Sequence, residues 1–313
     1  MSATDYPVPN ISVILCAHNP RPAHFQATLD GLRAQDLPFA EWELIVIDNL
    51  STEPITSHYD VAWHPSARVV VESTLGLANA RRRGYAESRG RLIVHSDDDN
   101  ILAADYLRTA WRIRQEFPQI GNFGSQIVAR FDREPQNALE ATFGFARQFD
   151  TDRWSNQLDD GRTMPYGAGM CLRREVVEAY LAEVARDPRR LILGRTGNRF
   201  ITGEDIDLNY VAVRAGYGTG LFAALSLVHL IPADRMHAAH VIRYGAGNAY
   251  SMVILQYLHF GEIRVPRRSL PGTVLFWIRV WFRMNPYDRR MELAMRRARR
   301  DAVRDLHEWG WVK

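Results

Sequence analysis

Residues 91–100 read Arg-Leu-Ile-Val-His-Ser-Asp-Asp-Asp-Asn, an apolar run that ends in three consecutive aspartates, Asp97, Asp98 and Asp99. Three like charges at this spacing repel one another, so they need a counter-ion, a hydrated turn or a positively charged ligand. In open α/β sheets, ligands bind beyond the carboxyl ends of the strands, where this cluster would lie. The stretch therefore predicts either a divalent cation site that holds a diphosphate, or a solvated acidic turn.

The segments around this stretch alternate between strand and helix patterns. Short apolar runs rich in β-branched residues predict buried strands, and apolar residues at helical spacing predict the helices between them. The predicted strands are residues 11–17, 44–47, 67–71, 91–95 and 124–130, and the predicted helices are residues 25–32, 76–88 and 106–117. This alternation predicts an α/β fold with a mainly parallel central sheet that is covered on both faces.

The second half of the chain is less regular. Residues 132–165 are polar and mixed, which predicts a substrate-facing loop, because long irregular loops are usually functional or mobile. Helical patterns at residues 174–185 and 205–215 and an apolar stretch at 220–231 follow. From residue 234 the pattern is helical, with breaks expected at Pro266, Pro271 and Pro286. The sequence thus predicts one α/β domain at residues 1–232 and a helical carboxyl-terminal extension at residues 233–313.

The composition of the chain limits which classes of protein it can belong to. Of the 313 residues, 46% are hydrophobic, so a large packed core is expected. The formal net charge is only +3, which gives no reason to expect a nucleic-acid partner. Cys16 and Cys171, the two cysteines, lie in apolar stretches, which argues against disulfides and favours a reducing, cytoplasmic compartment. Residues 1–10 lack a secretory pattern, and no apolar run reaches the roughly 20 residues of a membrane span.

Six short motifs follow one another along the chain. They are His18-Asn19-Pro20, Asp48-Asn49-Leu50-Ser51, Gly76-Leu77-Ala78-Asn79-Ala80-Arg81, the aspartate triplet, Gly167-Ala168-Gly169-Met170 and Gly203-Glu204-Asp205-Ile206-Asp207-Leu208. Each is weak alone, but their combined order over residues 11–208 resembles the family 2 glycosyltransferases. The resemblance implies the nucleotide-binding fold called GT-A. It also implies inverting transfer from a nucleoside-diphosphate sugar, with a UDP-sugar expected, to an unidentified acceptor hydroxyl.

The resemblance further implies a metal site, because a divalent cation can stabilise the charge that grows on a leaving diphosphate. Asp99 is the expected direct ligand and Asp97 the second candidate, while Asp98 is expected to face the ribose or the sugar. His229 resembles a histidine that the family often supplies from the far side of the site, with His240 as the reserve. A packed or capping side chain is the alternative for His229. The expected cofactor is Mn²⁺ or Mg²⁺, which both suit oxygen ligands.

Donor-binding residues are also implied by the resemblance. Asp48 matches a carboxylate that contacts the base or ribose, and Arg81 matches an arginine near the base and diphosphate. Arg82 stands where the family more often has asparagine, so the identity of the nucleotide base is left open. Turn formation is the alternative for Asp48 and for the glycines. The other expected donor-binding residues are His18, Asn19, Pro20, Asn49, Asp97, Asp98, Gly167 and Gly169.

The transfer needs a base that takes the proton from the acceptor hydroxyl. By resemblance this base is Asp205, which matches the aspartate of the family's Glu-Asp pair. Glu204, the other catalytic candidate, and Asp207 would orient the acceptor. Acidic residues also favour the first turn of any helix, so helix capping is the alternative for this group.

Arginines and aromatic residues crowd the carboxyl-terminal segment. Arg235 and Arg243 lie near one helix face and are candidates for phosphate contacts, with ordinary surface charges as the alternative. Residues 276–300 predict either a helix that lies on a membrane, peripheral to its inner face, or a helical appendage that packs on the domain or on a second subunit. We favour packing.

Two alternatives for the whole chain stay open. One is a sugar nucleotidyltransferase, although the loop after the first strand lacks the glycine-rich phosphate loop expected of such enzymes. The other is a non-catalytic sugar-nucleotide-binding or membrane-docking module.

Overall fold

The computed structural model describes residues 8–136, 146–158, 160–196, 200–263 and 270–312. Its strands are β1 (Ile11–Ala17), β2 (Trp42–Asp48), β3 (Ala67–Val71), β4 (Leu92–Asp97), β5 (Asn100–Leu102), β6 (Ile120–Phe131), β7 (Arg153–Ser155), β8 (Cys171–Arg173) and β9 (Gly218–Ile231). In the described part of the chain they form one nine-stranded sheet in the order β3-β2-β1-β4-β8-β6-β9-β5, with β7 also paired to β9.

The amino-terminal half of the sheet is parallel. Strands β3, β2, β1 and β4 pair in parallel, and so do β6 and β9. Strand β8 is antiparallel to β4 and β6, whereas β5 and β7 are antiparallel to β9. The predicted α/β class with a mainly parallel sheet is confirmed.

The described helices are α1 (Pro22–Arg33), α2 (Leu77–Glu87), α3 (Tyr106–Glu116), α4 (Arg174–Arg186), α5 (Glu204–Arg214), α6 (Ala238–Phe260), α7 (Leu270–Phe282) and α8 (Pro286–Glu308). Helix α8 begins at Pro286, where its missing N–H is harmless, and the Asn285 side chain accepts a hydrogen bond from the Asp288 N–H. Pro271 lies in the first turn of α7 rather than at a break, because proline is tolerated there. Pro266 lies outside the described residues.

Hydrophobic residues cover both faces of the sheet, as the continuous apolar strands require. Alternate residues of β1 point to opposite faces, so Val13 and Leu15 join one buried cluster, whereas Ile14 and Cys16 join the other. The first cluster includes Phe25 of α1, and the second includes helix residues such as Tyr85 and Tyr180. This is the two-sided burial expected of a parallel sheet.

The chain divides into two compact units. The first carries the sheet and helices α1 to α5, and the second carries helices α6 to α8 together with the stretch that begins at Ile192. Within the second unit, the Tyr250 hydroxyl on α6 donates a 2.8 Å hydrogen bond to Asp305 on α8. Among the described helices, none has both the length and the apolar character needed to cross a membrane.

Candidate active site

Parallel pairing brings the predicted site residues to one edge of the sheet. Ala17 at the end of β1 pairs with Asp48 at the end of β2, and Cys16 pairs with Asp97 at the end of β4. The loops that follow these strands therefore share the carboxyl edge of the sheet, where α/β folds bind ligands.

Asp48 and Asn49 organise the loops of this edge. The Asp48 carboxylate is 4% exposed and accepts hydrogen bonds from the backbone N–H groups of Ser51 at 2.9 Å and Ile55 at 3.1 Å. The side-chain Oδ1 atom of Asn49 accepts from the Gly76 N–H at 2.8 Å, and the side-chain Nδ2 group donates to the Thr74 backbone carbonyl at 2.8 Å. Both side chains thus hold turns in place, as in the alternative given for Asp48, and the donor contacts predicted for Asp48 and Asn49 stay predictions.

His18 and Asn19 join the loop after β1 to the loop after β2. The His18 Nδ1–H donates to the backbone carbonyl oxygen of Asn49 at 2.8 Å, and the side-chain oxygen of Asn19 accepts from the Thr52 N–H at 2.8 Å. Asn19 has a φ of 46°, a left-handed conformation that asparagine tolerates better than most residues. A cleft of about 540 Å³ lies between these loops and is lined by Asn19, Pro20, Pro22, Ser51, Thr52, Glu53, Ile55, His58 and Tyr59.

Arg81 links the aspartate triplet to the Glu204-Asp205 pair. It projects from α2, is 3% exposed, and donates from Nη2 to Asp97 Oδ1 and from Nη1 to Glu204 Oε2, both at 2.8 Å. Burial disfavours the charge, but Glu204 and Asp97 raise the pKa of Arg81 well above its ordinary value. Arg81 therefore stays charged and holds two motifs of the sequence against each other.

Glu204 is a buried carboxylate with a strongly shifted pKa. Burial is the largest cause that raises its pKa, which reaches about 7, while Arg81 opposes the shift and Asp205 and Asp97 add to it. Its Oε2 atom accepts from Arg81, and among the described residues its buried Oε1 atom finds no hydrogen-bond partner. A carboxylate that titrates near neutral pH is typical of functional sites.

Asp99 and His229 meet where β5 pairs with β9. The Asp99 Oδ2 atom lies 3.6 Å from the His229 Nε2 atom, and the two side chains are 11% and 15% exposed. Pairing of Asn100 with His229 and a hydrogen bond from the Leu230 N–H to the Asp99 carbonyl fix this approach. The structure thus brings together two of the three predicted metal ligands.

The chemistry of this pair fits a divalent cation. A carboxylate oxygen and an imidazole nitrogen are both accepted by Mn²⁺, and a nucleoside diphosphate and water supply further oxygens in such sites. Asp97, the third predicted ligand, is bound by Arg81, and Asp98 is half-buried beside it. Among the described residues, no three or more Asp, Glu, His or Cys side chains are close enough together to bind one metal ion.

Asp205 lies at the start of α5 beside the glycine motif. Its Oδ2 atom accepts from the Gly167 N–H at 3.2 Å, and its Oδ1 atom accepts from the Ile206 N–H at 3.0 Å. A Cβ atom at Gly167 would lie 2.8 Å from Arg81 Nη1, so a side chain there would displace this guanidinium from its carboxylate partners. Gly169 has a φ of +67°, and a Cβ there would lie 2.5 Å from Leu227. Both glycines thus serve packing at the site.

Two residues near Asp205 had not been predicted. The Arg147 guanidinium lies 4.3 Å from the centroid of the Tyr166 ring and donates to the Met164 carbonyl at 2.7 Å. Burial lowers the pKa of Arg147, while Tyr166 and Asp205 counteract that shift. Tyr166 immediately precedes Gly167 and is 44% exposed. Its place next to the glycine motif was the one signal that could have indicated it.

Arg235 and Arg243 belong to the second unit. Arg243 lies 4.5 Å from the centroid of the Phe200 ring, and His240 contacts the same ring with centroids 5.2 Å apart. The pKa of His240 is lowered to about 4, chiefly by burial and also by the nearby positive charges of Arg235, Arg195 and Arg243. The phosphate-binding roles predicted for Arg235 and Arg243 stay predictions.

Comparison with known proteins decides the family. The family model described as glycosyltransferase like family 2 matches residues 9–240. The chain belongs to this family. The predicted resemblance is therefore confirmed, and the match extends beyond residues 11–208 at both ends. It places the chain among the glycosyltransferases.

Solved structures show the same fold in other glycosyltransferases. The mannosyltransferase PcManGT from Pyrobaculum calidifontis, in complex with GDP-Man and Mn²⁺, is 19% identical, with a TM-score of 0.57 over 95% of this chain and 88% of that chain. TarS 1–349 of S. aureus in complex with UDP-GlcNAc is 13% identical, with a TM-score of 0.52 over 91% and 79%. The family 2 glycosyltransferase described here thus has the predicted GT-A fold.

A curated relative covers only part of the chain. The uncharacterized protein y4gI of Sinorhizobium fredii is 34% identical over 104 residues, which is 32% of this chain. The matched part spans 11% of the length of that relative. This relative therefore adds nothing about family or activity.

Proposed function

We propose that this family 2 glycosyltransferase transfers a sugar from a nucleoside-diphosphate sugar, most simply a UDP-sugar, to an acceptor hydroxyl with inversion and with the help of a divalent cation. The observation that carries the proposal is the approach of Asp99 to His229, whose atoms Oδ2 and Nε2 lie 3.6 Å apart. Asp99 lies between β4 and β5 and His229 lies on β9, both in the same unit as Asp205.

The donor is proposed to bind along the carboxyl edge of the sheet. The nucleoside would occupy the cleft of about 540 Å³ that Asn19, Pro20 and Ser51 help to line, a volume typical of small-molecule sites. Its diphosphate would then extend toward Asp97, Asp98 and Asp99. Support comes from the neighbouring structures, which contain UDP-GlcNAc or GDP-Man.

Asp99 and His229 are the residues proposed to hold Mn²⁺ or Mg²⁺, with Asp97 as the second carboxylate. When bound, such a cation stabilises the charge on the leaving diphosphate as a Lewis acid. The PcManGT complex, which contains Mn²⁺, supports this assignment. Arg81 neutralises Asp97 and thereby limits the repulsion within the triplet.

Asp205 is the proposed base. The oxygen of the acceptor hydroxyl attacks the anomeric carbon from the face opposite the diphosphate, and the bond between that carbon and the diphosphate oxygen breaks with its electron pair on the phosphate. The hydroxyl proton passes to the Asp205 carboxylate, which the Gly167 and Ile206 N–H groups orient. Arg147 and Tyr166, which adjoin this motif, are proposed to contact the acceptor.

We propose that residues 1–232 form the catalytic domain and that residues 233–313 form a helical extension to it. The acceptor is proposed to be read by the segment at residues 132–165, of which residues 137–145 and 159 lie outside the described part of the chain.

A thermal-shift screen tests the donor and the cation together. UDP and GDP are each added with Mn²⁺, with Mg²⁺ or with EDTA, because a ligand that binds only the folded state raises the melting temperature. We expect stabilisation by UDP with Mn²⁺ or Mg²⁺, equivalent to about 2.7 kcal/mol at a hundred times its dissociation constant, and its loss in EDTA. Equal stabilisation in EDTA would remove the cation from the proposal, and no response to either nucleotide would refute the donor.

A further inference from the structure

Helix α7 has two apolar faces, and within the described part of the chain one of them is buried and the other is exposed. Phe276 and Val280 are 4% and 0% exposed. On the other side, five large apolar residues follow the spacing i, i+3, i+4, i+7 and i+8, which places them along one side of the helix. We call these residues the apolar stripe; they are Val274, Trp277, Ile278, Trp281 and Phe282.

The side chains of the apolar stripe are all substantially exposed to solvent. Phe282 is 84% exposed, and Trp281 is 53% exposed. Contiguous exposed apolar patches mark surfaces that bind a partner or a membrane, because their contact with water is unfavourable. The packing favoured from the sequence for residues 276–300 therefore involves Phe276 and Val280 in α7, whereas Trp277 and Trp281 are 36% and 53% exposed.

Arginines border the stripe. Residues 270–300 contain eight arginines and two acidic residues, Asp288 and Glu292. The Arg289 guanidinium lies 4.9 Å from the centroid of the Trp281 ring, and the Arg296 guanidinium lies 5.3 Å from that of the Trp277 ring. Arg279 and Arg283 are themselves exposed on or beside α7. The surface thus presents large apolar side chains together with a strong excess of positive charge.

This combination points to one kind of partner. We propose that the apolar stripe docks on the surface of an anionic lipid bilayer, with α7 lying in the plane of the interface. Trp and Phe enter the boundary between headgroups and acyl chains, and the arginines contact lipid phosphates. The 13 residues of α7 span about 20 Å, less than a bilayer requires, so the helix lies on the membrane rather than across it.

Charge complementarity favours lipid over a second copy of the chain. Two copies that met stripe to stripe would bring two arginine-rich surfaces together, and like charges across an interface oppose association. An anionic bilayer supplies the opposite charge and an apolar interior at once. The proposal does not depend on the transfer reaction.

Vesicle sedimentation tests the proposal with the full chain. Vesicles of phosphatidylcholine with about 30% phosphatidylglycerol are compared with pure phosphatidylcholine at rising salt. We expect binding only to the anionic vesicles, weakened as salt rises. The double variant Trp281→Ser/Phe282→Ser should bind at least about tenfold more weakly, since it removes two large apolar side chains. Arg279→Gln/Arg283→Gln should lose roughly fivefold per arginine.

Trp154→Ser is the matched control, because Trp154 is also 53% exposed but lies on β7; its vesicle binding should be unchanged. Circular dichroism melting curves of the stripe variants should match those of the wild type. Absence of vesicle binding, or equal binding by the stripe variants, would overturn the proposal. So would light scattering that shows a wild-type dimer converted to a monomer by Trp281→Ser/Phe282→Ser, because the stripe would then be a subunit interface.

Discussion

Arg81 and Glu204 are 123 residues apart in the chain, yet their side chains form a 2.8 Å ion pair in which both are only 4% exposed. The same guanidinium binds Asp97 at 2.8 Å. One arginine of α2 therefore joins the end of β4, which carries the aspartates, to the start of α5, which carries the proposed base. The relative positions of the two motifs depend on this contact.

Replacement of Arg81 by methionine should destabilise the fold. The variant leaves Glu204 and Asp97 without their shared cation, and removal of one partner of a buried ion pair typically costs about 3 to 5 kcal/mol. Urea unfolding followed by circular dichroism measures the loss. Arg83→Met is the control, because Arg83 forms only a half-exposed pair with Glu87 at 2.9 Å and should cost less than about 1 kcal/mol. Similar small losses in both variants would contradict the structural role of Arg81.

Glu204 should make stability depend on pH. Burial raises its pKa from 4.5 to about 7 in the folded protein, so the folded state holds this proton more tightly than the unfolded chain. The contribution is therefore fully present below about pH 4.5 and is lost as the pH rises through about 7. The free energy of unfolding of the wild type, relative to Glu204→Gln, should fall by about 1 to 3 kcal/mol over that window. Urea titrations at pH 5 and pH 7.5 measure it, and a constant difference would show that Glu204 does not titrate there.

Much of the fold could be predicted because the central strands β1 and β2 are buried along their whole length. Strands β1 and β3 begin and end at the predicted residues, since each is rich in apolar side chains and is followed by polar residues. Strands β5, β7 and β8 were not predicted. Each has three residues, which is too short to show a period, and each exists because a neighbouring strand supplies its hydrogen bonds.

The contacts of the candidate site were less predictable than its residue types. The motifs pointed to Asp97, Asp99 and Asp205, but a local pattern contains no signal for a partner more than 100 residues away. Arg81 was expected to face the donor, whereas the structure gives its guanidinium two carboxylate partners. Asp99 and His229 were expected in one site by resemblance, and the pairing of β5 with β9 is the physical cause of their approach.

Gly169 should be intolerant of a side chain. Its φ of +67° disfavours any other residue, and a Cβ atom would lie 2.5 Å from Leu227 Cδ2 and 2.6 Å from the Tyr106 hydroxyl. Gly169→Ala should therefore lower the free energy of unfolding by about 1 to 3 kcal/mol. Gly161→Ala is the control, because no atom lies within 4 Å of its Cβ position. Equal melting temperatures for both variants would show that the backbone at Gly169 relaxes freely.

Asp99→Asn should weaken cation binding without unfolding the protein. The amide keeps the size of the side chain but removes the charge that a divalent cation needs. Calorimetric titration with Mn²⁺ in the presence of UDP should show at least a tenfold weaker affinity, and the stabilisation by UDP with Mn²⁺ should disappear. The control is Asp36→Asn, an exposed aspartate paired with Arg108. Unchanged Mn²⁺ affinity in Asp99→Asn would exclude Asp99 as a ligand.

Asp205→Asn should separate chemistry from donor binding. The carbonyl oxygen of asparagine can still accept the Gly167 N–H, although the amide nitrogen loses the bond from the Ile206 N–H, so the donor affinity should be largely preserved while the side chain can no longer take a proton. We expect the rate of UDP release from a UDP-sugar that the wild type turns over to fall by about 10² to 10⁴, with the dissociation constant for UDP changed less than about twofold. Asp187→Asn, which alters an aspartate paired with Arg189, should keep the wild-type rate. An Asp205→Asn enzyme that turns over normally would show that another group takes the proton, whereas parallel loss of rate and UDP affinity would assign Asp205 to donor binding.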